Sequence, residues 1–295
     1  MSNIKEGYIP FKGLKTYYRI VGECEDGKLP LLTLHGGPGA QHDYLESFDG
    51  IADYGRAVIY YDQLGCGKSP APSNPDMWTV ELFKEEIDVV RNALNLTQCH
   101  MIGQSWGGML LMAYAIDQPV GVKSMVVASS PADFQLWGKE AKRLRGYLPQ
   151  HMQDALIKAD ETGVHEGPEY QAAADEYYRR YVYDLPEVPD YVQVTFDTEG
   201  DNEVYNTMQG YSEFDISGNL KDFNVVNDLH KITIPTLVTS GSRDECTPLI
   251  AKQVYDGIPN AQWILFEDGT HLVHVEQKEK YNKTVEEFFE QHDII

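Results

Sequence analysis

The sequence predicts an α/β protein with a mostly parallel central sheet and an inserted helical cap. Short apolar runs alternate with helical patterns through much of the 295 residues, as is typical of parallel sheets. The alternation stops near Pro131, and from there to about Asn227 the pattern is helical and rich in tyrosine. We therefore expect a core made of residues 1–130 and 228–295, with residues 131–227 forming the cap.

Six brief apolar runs predict the parallel strands, and their continuous apolar character indicates strands that are buried on both faces. In chain order the runs are LLTLHG, AVIYYD, HMIGQS, SMVVASS, TLVTSG and WILFED. Before the first of them, residues 8–23 predict an antiparallel hairpin that turns at Lys12 and Gly13 and lies at the edge of the sheet.

Two helical patterns have clear ends. In residues 80–94 apolar side chains recur at helical spacing, and Thr79 precedes them as the predicted N-cap. In the cap, residues 168–184 predict a single helix. We expect it to end at the Leu185–Pro186 step, because a residue before proline disfavours the helical conformation.

Composition excludes several functions. The net charge of -22 disfavours nucleic acid as a partner, because phosphate binding needs clustered Lys and Arg. Cys24, Cys66, Cys99 and Cys246 lie far apart without zinc-like spacing, so we expect free thiols, no metal and no cofactor. No apolar run approaches the length of a membrane span, and the first residues lack an apolar signal region. The expected location is the cytoplasm, and a monomer is compatible with the sequence.

The segment from Gly103 to Gly107 reads G-x-S-x-G directly after a predicted strand and before a predicted helix. This is the setting of the nucleophile elbow in the α/β-hydrolase fold, so Ser105 is the candidate nucleophile. Glycines two residues on either side are needed because larger side chains would collide in so tight a turn. The alternative is a serine with only a structural role in the turn.

A catalytic serine requires an oxyanion hole. The segment HGGPG, from His35 to Gly39, follows a strand and matches the HG-type loop of α/β-hydrolases. We expect the backbone N–H groups of Gly37 and Trp106 to be the donors. His35 precedes the nucleophile in the chain, which favours a loop-orienting role over that of a base. The alternative is a glycine turn without chemistry.

In this fold the chain order is serine, then acid, then histidine. His271 follows the last predicted strand and is favoured as the base over His274, which we expect to be a partly buried packing histidine. Asp244, after the strand TLVTSG, is favoured as the acid over Asp268, which shares a loop with His271. This assignment leaves the neighbouring Glu245 without a role.

Taken together, HGGPG, YYDQLGCGKS, GQSWGG, GSRDECTP and DGTH resemble the proline iminopeptidases, or prolyl aminopeptidases, of the α/β-hydrolase superfamily. The resemblance spans nearly the whole chain. It implies a metal-independent serine aminopeptidase that releases an N-terminal residue, most often proline, from short peptides through an acyl-enzyme. Dehalogenases and epoxide hydrolases are disfavoured, because they carry Asp at the position of Ser105.

The resemblance also implies that two glutamates bind the substrate amine. One is Glu245, and the other is Glu213 in the G-x-x-E-F segment that starts at Gly210. Family members commonly carry Pro and Asn where this chain has Tyr211 and Ser212. Tyr205 is a possible substrate contact, and Phe48, Trp106 and aromatic residues of the cap are candidates for an apolar slot around a proline ring.

Two other functions stay open from the sequence. A hydrolase of amino acid amides or esters would use the same catalytic residues, so its partners would be amides with a free amine instead of peptides. A non-catalytic binding protein on a hydrolase scaffold is disfavoured by the presence of a Ser, an Asp and a His in the expected order.

Overall fold

A computed structural model describes residues 3–200, 202–214 and 216–293. Eight strands form one sheet in the order β1-β2-β4-β3-β5-β6-β7-β8, and all neighbouring pairs from β4 to β8 are parallel. The strands are β1 (Ile4–Phe11), β2 (Leu14–Val21), β3 (Leu31–Leu34), β4 (Val58–Tyr61), β5 (Cys99–Gln104), β6 (Val122–Ala128), β7 (Thr236–Gly241) and β8 (Gln262–Phe266).

The α-helices of the described residues fall into a core group and a cap group. In chain order they are α1 (Val80–Ala93), α2 (Trp106–Ile116), α3 (Phe134–Arg145), α4 (Gln150–Thr162), α5 (Pro168–Tyr181), α6 (Asp190–Glu199), α7 (Glu203–Met208), α8 (Pro248–Gly257), α9 (Val273–Glu276) and α10 (Lys278–Glu290). All of them are too short or too polar to cross a membrane.

The α/β architecture and several local predictions are confirmed. β1 and β2 form the predicted antiparallel hairpin at the sheet edge, with Phe11 paired to Leu14. The backbone N–H of Leu82 donates to the Thr79 hydroxyl, which caps α1 as expected. The predicted parallel strands are all present. Helices α3 to α7 lie between β6 and β7, and the isolated bridge between Asp133 and Asn224 joins the two ends of this segment. The limits 131 and 227 of the cap stay a prediction.

The prediction that WILFED is buried on both faces was wrong. β8 is the last strand of the sheet, and Ile264 and Leu265 are exposed. A strand at a sheet edge has a neighbour on one side only, and apolar composition alone does not distinguish it from a central strand.

The predicted end of the cap helix was also wrong. α5 ends at Tyr181, several residues before the Leu185–Pro186 step. The carbonyls of Tyr181 and Val182 instead accept hydrogen bonds from the loops that follow β7 and β8. The last carbonyls of a helix lack partners within the helix, so a tertiary contact of this kind can fix where the helix stops.

A buried ionic cluster fastens the last helix to the sheet. The guanidinium of Arg56 donates to Glu286 at 2.7 Å and to Asp293 at 2.7 Å, and His100 lies 2.9 Å from Asp293. The side chain of Arg56 is fully buried. Lys28 also contacts Glu286, at 2.7 Å, so loss of Arg56 would leave Glu286 with Lys28 alone and Asp293 without its guanidinium, which is costly in a protein interior.

We expect Arg56→Met to lower the free energy of unfolding by about 3–5 kcal/mol, measured by urea denaturation at pH 7. Lys5→Met is the control, because it removes an ion pair of Lys5 with Glu23 that is largely exposed, and it should change the unfolding free energy little. Equal effects of the two substitutions would contradict the importance of the buried cluster.

Candidate active site

The turn between β5 and α2 holds Ser105 in an uncommon backbone conformation. Its φ of 55° and ψ of -123° lie in a region that non-glycine residues rarely adopt. A β-carbon on Gly103 would overlap the carbonyl of Gly107, and one on Gly107 would overlap the carbonyl of Leu34. The two glycines are therefore required for this turn, which presents Ser105 at the carboxyl end of the sheet.

The loop after β3 is held beside this turn by a set of buried hydrogen bonds. Nε2 of His35 accepts from the backbone N–H of Gln63 at 2.9 Å, and the Gln63 amide donates to the His35 carbonyl at 2.9 Å. The indole N–H of Trp106 donates to Gln63 Oε1 at 2.8 Å. Burial lowers the pKa of His35 to about 4, so the ring is neutral and orients the loop, in agreement with the expected role.

A second chain of hydrogen bonds joins the same loop to the loop of His271. The Tyr44 hydroxyl accepts from the Gly36 N–H at 2.7 Å and donates to Gln104 Oε1 at 2.5 Å. The amide of Gln104 donates to the carbonyl of His271 at 3.4 Å. Tyr44, Gln63 and Gln104 are not among the residues predicted from the sequence. Gln63 lies in the YYDQLGCGKS segment and Gln104 in the GQSWGG segment, so both could have been found there, whereas Tyr44 carries no local signal.

Asp244 and His271 meet at the carboxyl ends of β7 and β8. Asp244 Oδ1 accepts from His271 Nδ1 at 2.8 Å and from the Cys246 N–H at 2.7 Å. Both side chains are buried. The backbone contact fixes the carboxylate, and the carboxylate fixes the imidazole with Nδ1 protonated, which leaves Nε2 as the nitrogen that can take up a proton.

The two competing residues lie elsewhere. His274 is buried among aromatic rings, with Nδ1 2.7 Å from the hydroxyl of Ser47, and burial lowers its pKa to about 3. This is the packing histidine that was expected. Asp268 is exposed at the surface of the loop. The expected apolar slot was wrong in two members, because Phe48 packs against His274 and Trp106 packs against Phe83 instead of lining the cavity at Ser105.

Two further carboxylates lie at this site, and both are buried. Glu245 Oε1 is 3.9 Å from Nε2 of His271, so Asp244 and Glu245 approach opposite nitrogens of the same ring. Glu213 accepts from the Tyr205 hydroxyl at 2.9 Å. Burial raises the pKa of Glu213, and the facing His271 and the Tyr205 hydroxyl oppose that rise.

Glu213 and Glu245 both lie near the same buried side chain, Tyr177. Burial raises the pKa of its hydroxyl well above the ordinary value, and the negative charges of Glu245 and Glu213 raise it further. Both carboxylates therefore act on the same buried phenol. Glu213 comes from the cap and Glu245 from the core, so the pair exists only when the cap is in place.

Trp137 of α3, which is not among the residues predicted from the sequence, connects the cap to His271. Its indole N–H donates to the Glu213 carbonyl at 2.8 Å. Its ring stands edge-on to His271 with the ring centroids 5.6 Å apart. One rigid aromatic side chain thus contacts both the proposed base and the backbone of a cap glutamate.

A small cavity, the catalytic cavity, brings together four of the predicted site residues, Gly37, Ser105, Glu213 and His271, whereas Asp244, Trp106, Glu245 and Tyr205 are not part of its lining. It is lined by Gly37, Ala40, Tyr44, Gln104, Ser105, Tyr178, Val182, Thr195, Phe196, Glu213, His271 and Leu272. None of these described lining residues is a lysine or an arginine. Its free volume is about 40 Å³, close to the space of one water molecule. An acyl group needs more room than this, so we expect the cap residues that line the cavity to shift when a substrate binds.

Comparison with known proteins agrees with this geometry. A family model described as the alpha/beta hydrolase fold matches residues 30–278. The chain is 44% identical to a proline iminopeptidase of Clostridium botulinum over 98% of this chain and 99% of that protein. The crystal structure of the proline iminopeptidase of Mycobacterium smegmatis is 36% identical, with a TM-score of 0.92 over 98% of this chain and 99% of that one.

A solved structure of VinJ superposes with a TM-score of 0.94 at 36% identity, again over 98% of this chain and 99% of that one. The family model and the sheet make the chain a member of the α/β-hydrolases. Within that class it belongs to the proline iminopeptidase family, and the resemblance seen in the motifs is confirmed.

The buried His274 gives a pH test of the packing around the site. Its pKa in the folded protein is about 3, whereas an unfolded histidine titrates near 6.5. Between these values the unfolded chain binds a proton that the folded chain does not, so this group makes stability fall as the pH falls.

We expect His274→Phe to reduce the pH dependence of the unfolding free energy by about 1.4 kcal/mol per pH unit below pH 6. The measurement is urea denaturation of both proteins in steps from pH 7 to pH 4.5. Parallel curves for the wild type and the variant would show that His274 does not titrate in this manner.

Proposed function

We propose that the protein is a serine aminopeptidase that releases the N-terminal residue, proline above all, from short peptides. The observation that carries the proposal is the burial of Glu213 and Glu245 beside the cavity that holds Ser105 and His271. A hydrolase that binds only neutral acyl groups has no use for two buried carboxylates in addition to Asp244. A substrate with a charged amine supplies the counter-charge that they need.

In the proposed mechanism Ser105 Oγ attacks the carbonyl carbon of the first residue while its proton passes to Nε2 of His271. The oxyanion accepts hydrogen bonds from the N–H groups of Gly37 and Trp106. His271 then gives the proton to the leaving nitrogen as the C–N bond breaks. Water attacks the resulting ester, transfers a proton to His271 and releases the free amino acid, and the proton returns to Ser105.

The two acids of the loop after β7 have different roles in this scheme. Asp244 is bonded to Nδ1 of His271, so it orients the ring and stabilises the imidazolium for every substrate. Glu245 lies on the Nε2 side and, with Glu213, binds the ammonium of the first residue. Tyr205 donates to Glu213 and so holds this carboxylate in place, and it stays a proposed substrate contact.

The amine site also limits where cleavage occurs. Binding the ammonium beside Ser105 places the first peptide bond at the nucleophile, so cleavage is restricted to one residue from the end. Peptides with a free N-terminus are the proposed partners, and amino acid amides satisfy the same site. We propose the cytoplasm as the location, because Cys66, Cys99 and Cys246 are free buried thiols.

We expect Asp244→Asn to lower kcat about 10⁴-fold on both a prolyl arylamide and a simple acyl ester, because both need the oriented histidine. Glu245→Gln should lower kcat/KM on the prolyl arylamide by about 100-fold or more and affect the ester much less. Steady-state kinetics of the two variants on the two substrates give the comparison.

The matched control is Glu267→Gln, which changes an exposed glutamate at the end of β8 and should leave both substrates at wild-type rates. Equal losses on the two substrates in Glu245→Gln would mean that the second acid supports only the loop. Wild-type turnover of the ester without turnover of any free-amine substrate would reject the aminopeptidase.

A further inference from the structure

A second and much larger cavity adjoins the catalytic cavity inside the cap. This cap cavity has a volume of about 720 Å³, within the range that binds small ligands. Tyr178, Val182 and Phe196 line both cavities, so the two spaces are adjacent. The catalytic cavity is the smaller of the two, and the cap cavity is the neighbouring space into which a bound peptide can extend.

The cap cavity is lined by aromatic side chains. Tyr211 is 64% exposed although it is large and aromatic, and its ring stacks on that of His165 with centroids 4.7 Å apart and planes 17° apart. Both residues line the cavity, together with Tyr170, which meets His165 edge-on. An accessible aromatic pair is a surface on which apolar and aromatic side chains bind well.

Polar side chains also line the cap cavity. Gln171, Asp175 and Arg179 belong to its lining, with Gln171 bonded to Asp175 and Arg179 to Glu176. Hydrogen-bonding groups beside aromatic rings suit an occupant that is polar as well as apolar. A peptide backbone offers both N–H donors and carbonyl acceptors, which an apolar ligand does not.

The chain also fixes the order of the two sites. Glu213 lines the catalytic cavity, whereas Tyr211 and Ser212, immediately before it, line the cap cavity. A substrate whose amine is held by Glu213 therefore has the cap cavity next to its anchor. The first residue takes the small space at Ser105, and the rest of the peptide has the larger space available.

We propose that the cap cavity is the binding site for the leaving part of the peptide, and that Tyr211 stacked on His165 selects an apolar or aromatic side chain there. This proposal rests on the aminopeptidase function proposed above. Tyr211 acts as a specificity residue: it contacts the part of the substrate beyond the bond that breaks.

The test uses three peptides of equal length, Pro-Gly-Gly, Pro-Phe-Gly and Pro-Gly-Phe, with prolinamide as a substrate that has no leaving residue. We expect kcat/KM of at least one phenylalanine peptide to exceed that of Pro-Gly-Gly by about tenfold. Tyr211→Ala should abolish this preference, chiefly through KM, and Tyr211→Phe should retain it because the ring remains.

The control is Tyr147→Ala, which removes an equally exposed tyrosine of the cap that lines neither cavity. It should keep the wild-type preference. Equal rates on the three peptides, or a preference that survives Tyr211→Ala, would overturn the proposal while prolinamide and Pro-Gly-Gly are still cleaved. Failure of the wild type to cleave any of the four substrates would overturn the aminopeptidase function and this proposal together.

Discussion

The hydrogen bonds at the end of α5 are the constraint on which the rest of the site depends. The carbonyl of Tyr181 accepts from the backbone N–H groups of Glu245, at 3.2 Å, and His271, at 3.0 Å, and that of Val182 accepts from Leu272 at 3.0 Å. One helix end in the cap thereby holds the loops after β7 and β8 together. The positions of the cap, the histidine and the second acid of the pair are set jointly, so the cap is part of the catalytic geometry.

This arrangement also explains how negative charge can be concentrated in so small a space. Asp244 is satisfied by His271 and by the N–H of Cys246, whereas Glu213 has its pKa raised by burial. Buried carboxylates are costly unless they are paired. In the proposed function that cost is offset when a substrate ammonium enters, so the site favours the one class of substrate that carries a charge at the right position.

Local patterns were enough to predict the parts of the molecule that depend on neighbouring residues in the chain. The turn at Ser105 follows from its flanking glycines. Asp244 and His271 each follow a predicted parallel strand, so the sequence places both at the carboxyl ends of the strands. The end of α5, the exposure of β8, and the contacts of Trp137 and Tyr44 depend on partners far away in sequence. Nothing in the local pattern of these segments specifies those partners.

The central claim is that buried carboxylates select a charged amine at the serine. Its most direct test is the ratio of kcat/KM for a prolyl arylamide to that for its N-acetylated counterpart on the wild-type protein. The two substrates share the scissile bond, the ring and the leaving group, and they differ at the amine. We predict a ratio of about 100 or more in favour of the free amine. A ratio near one would contradict the account.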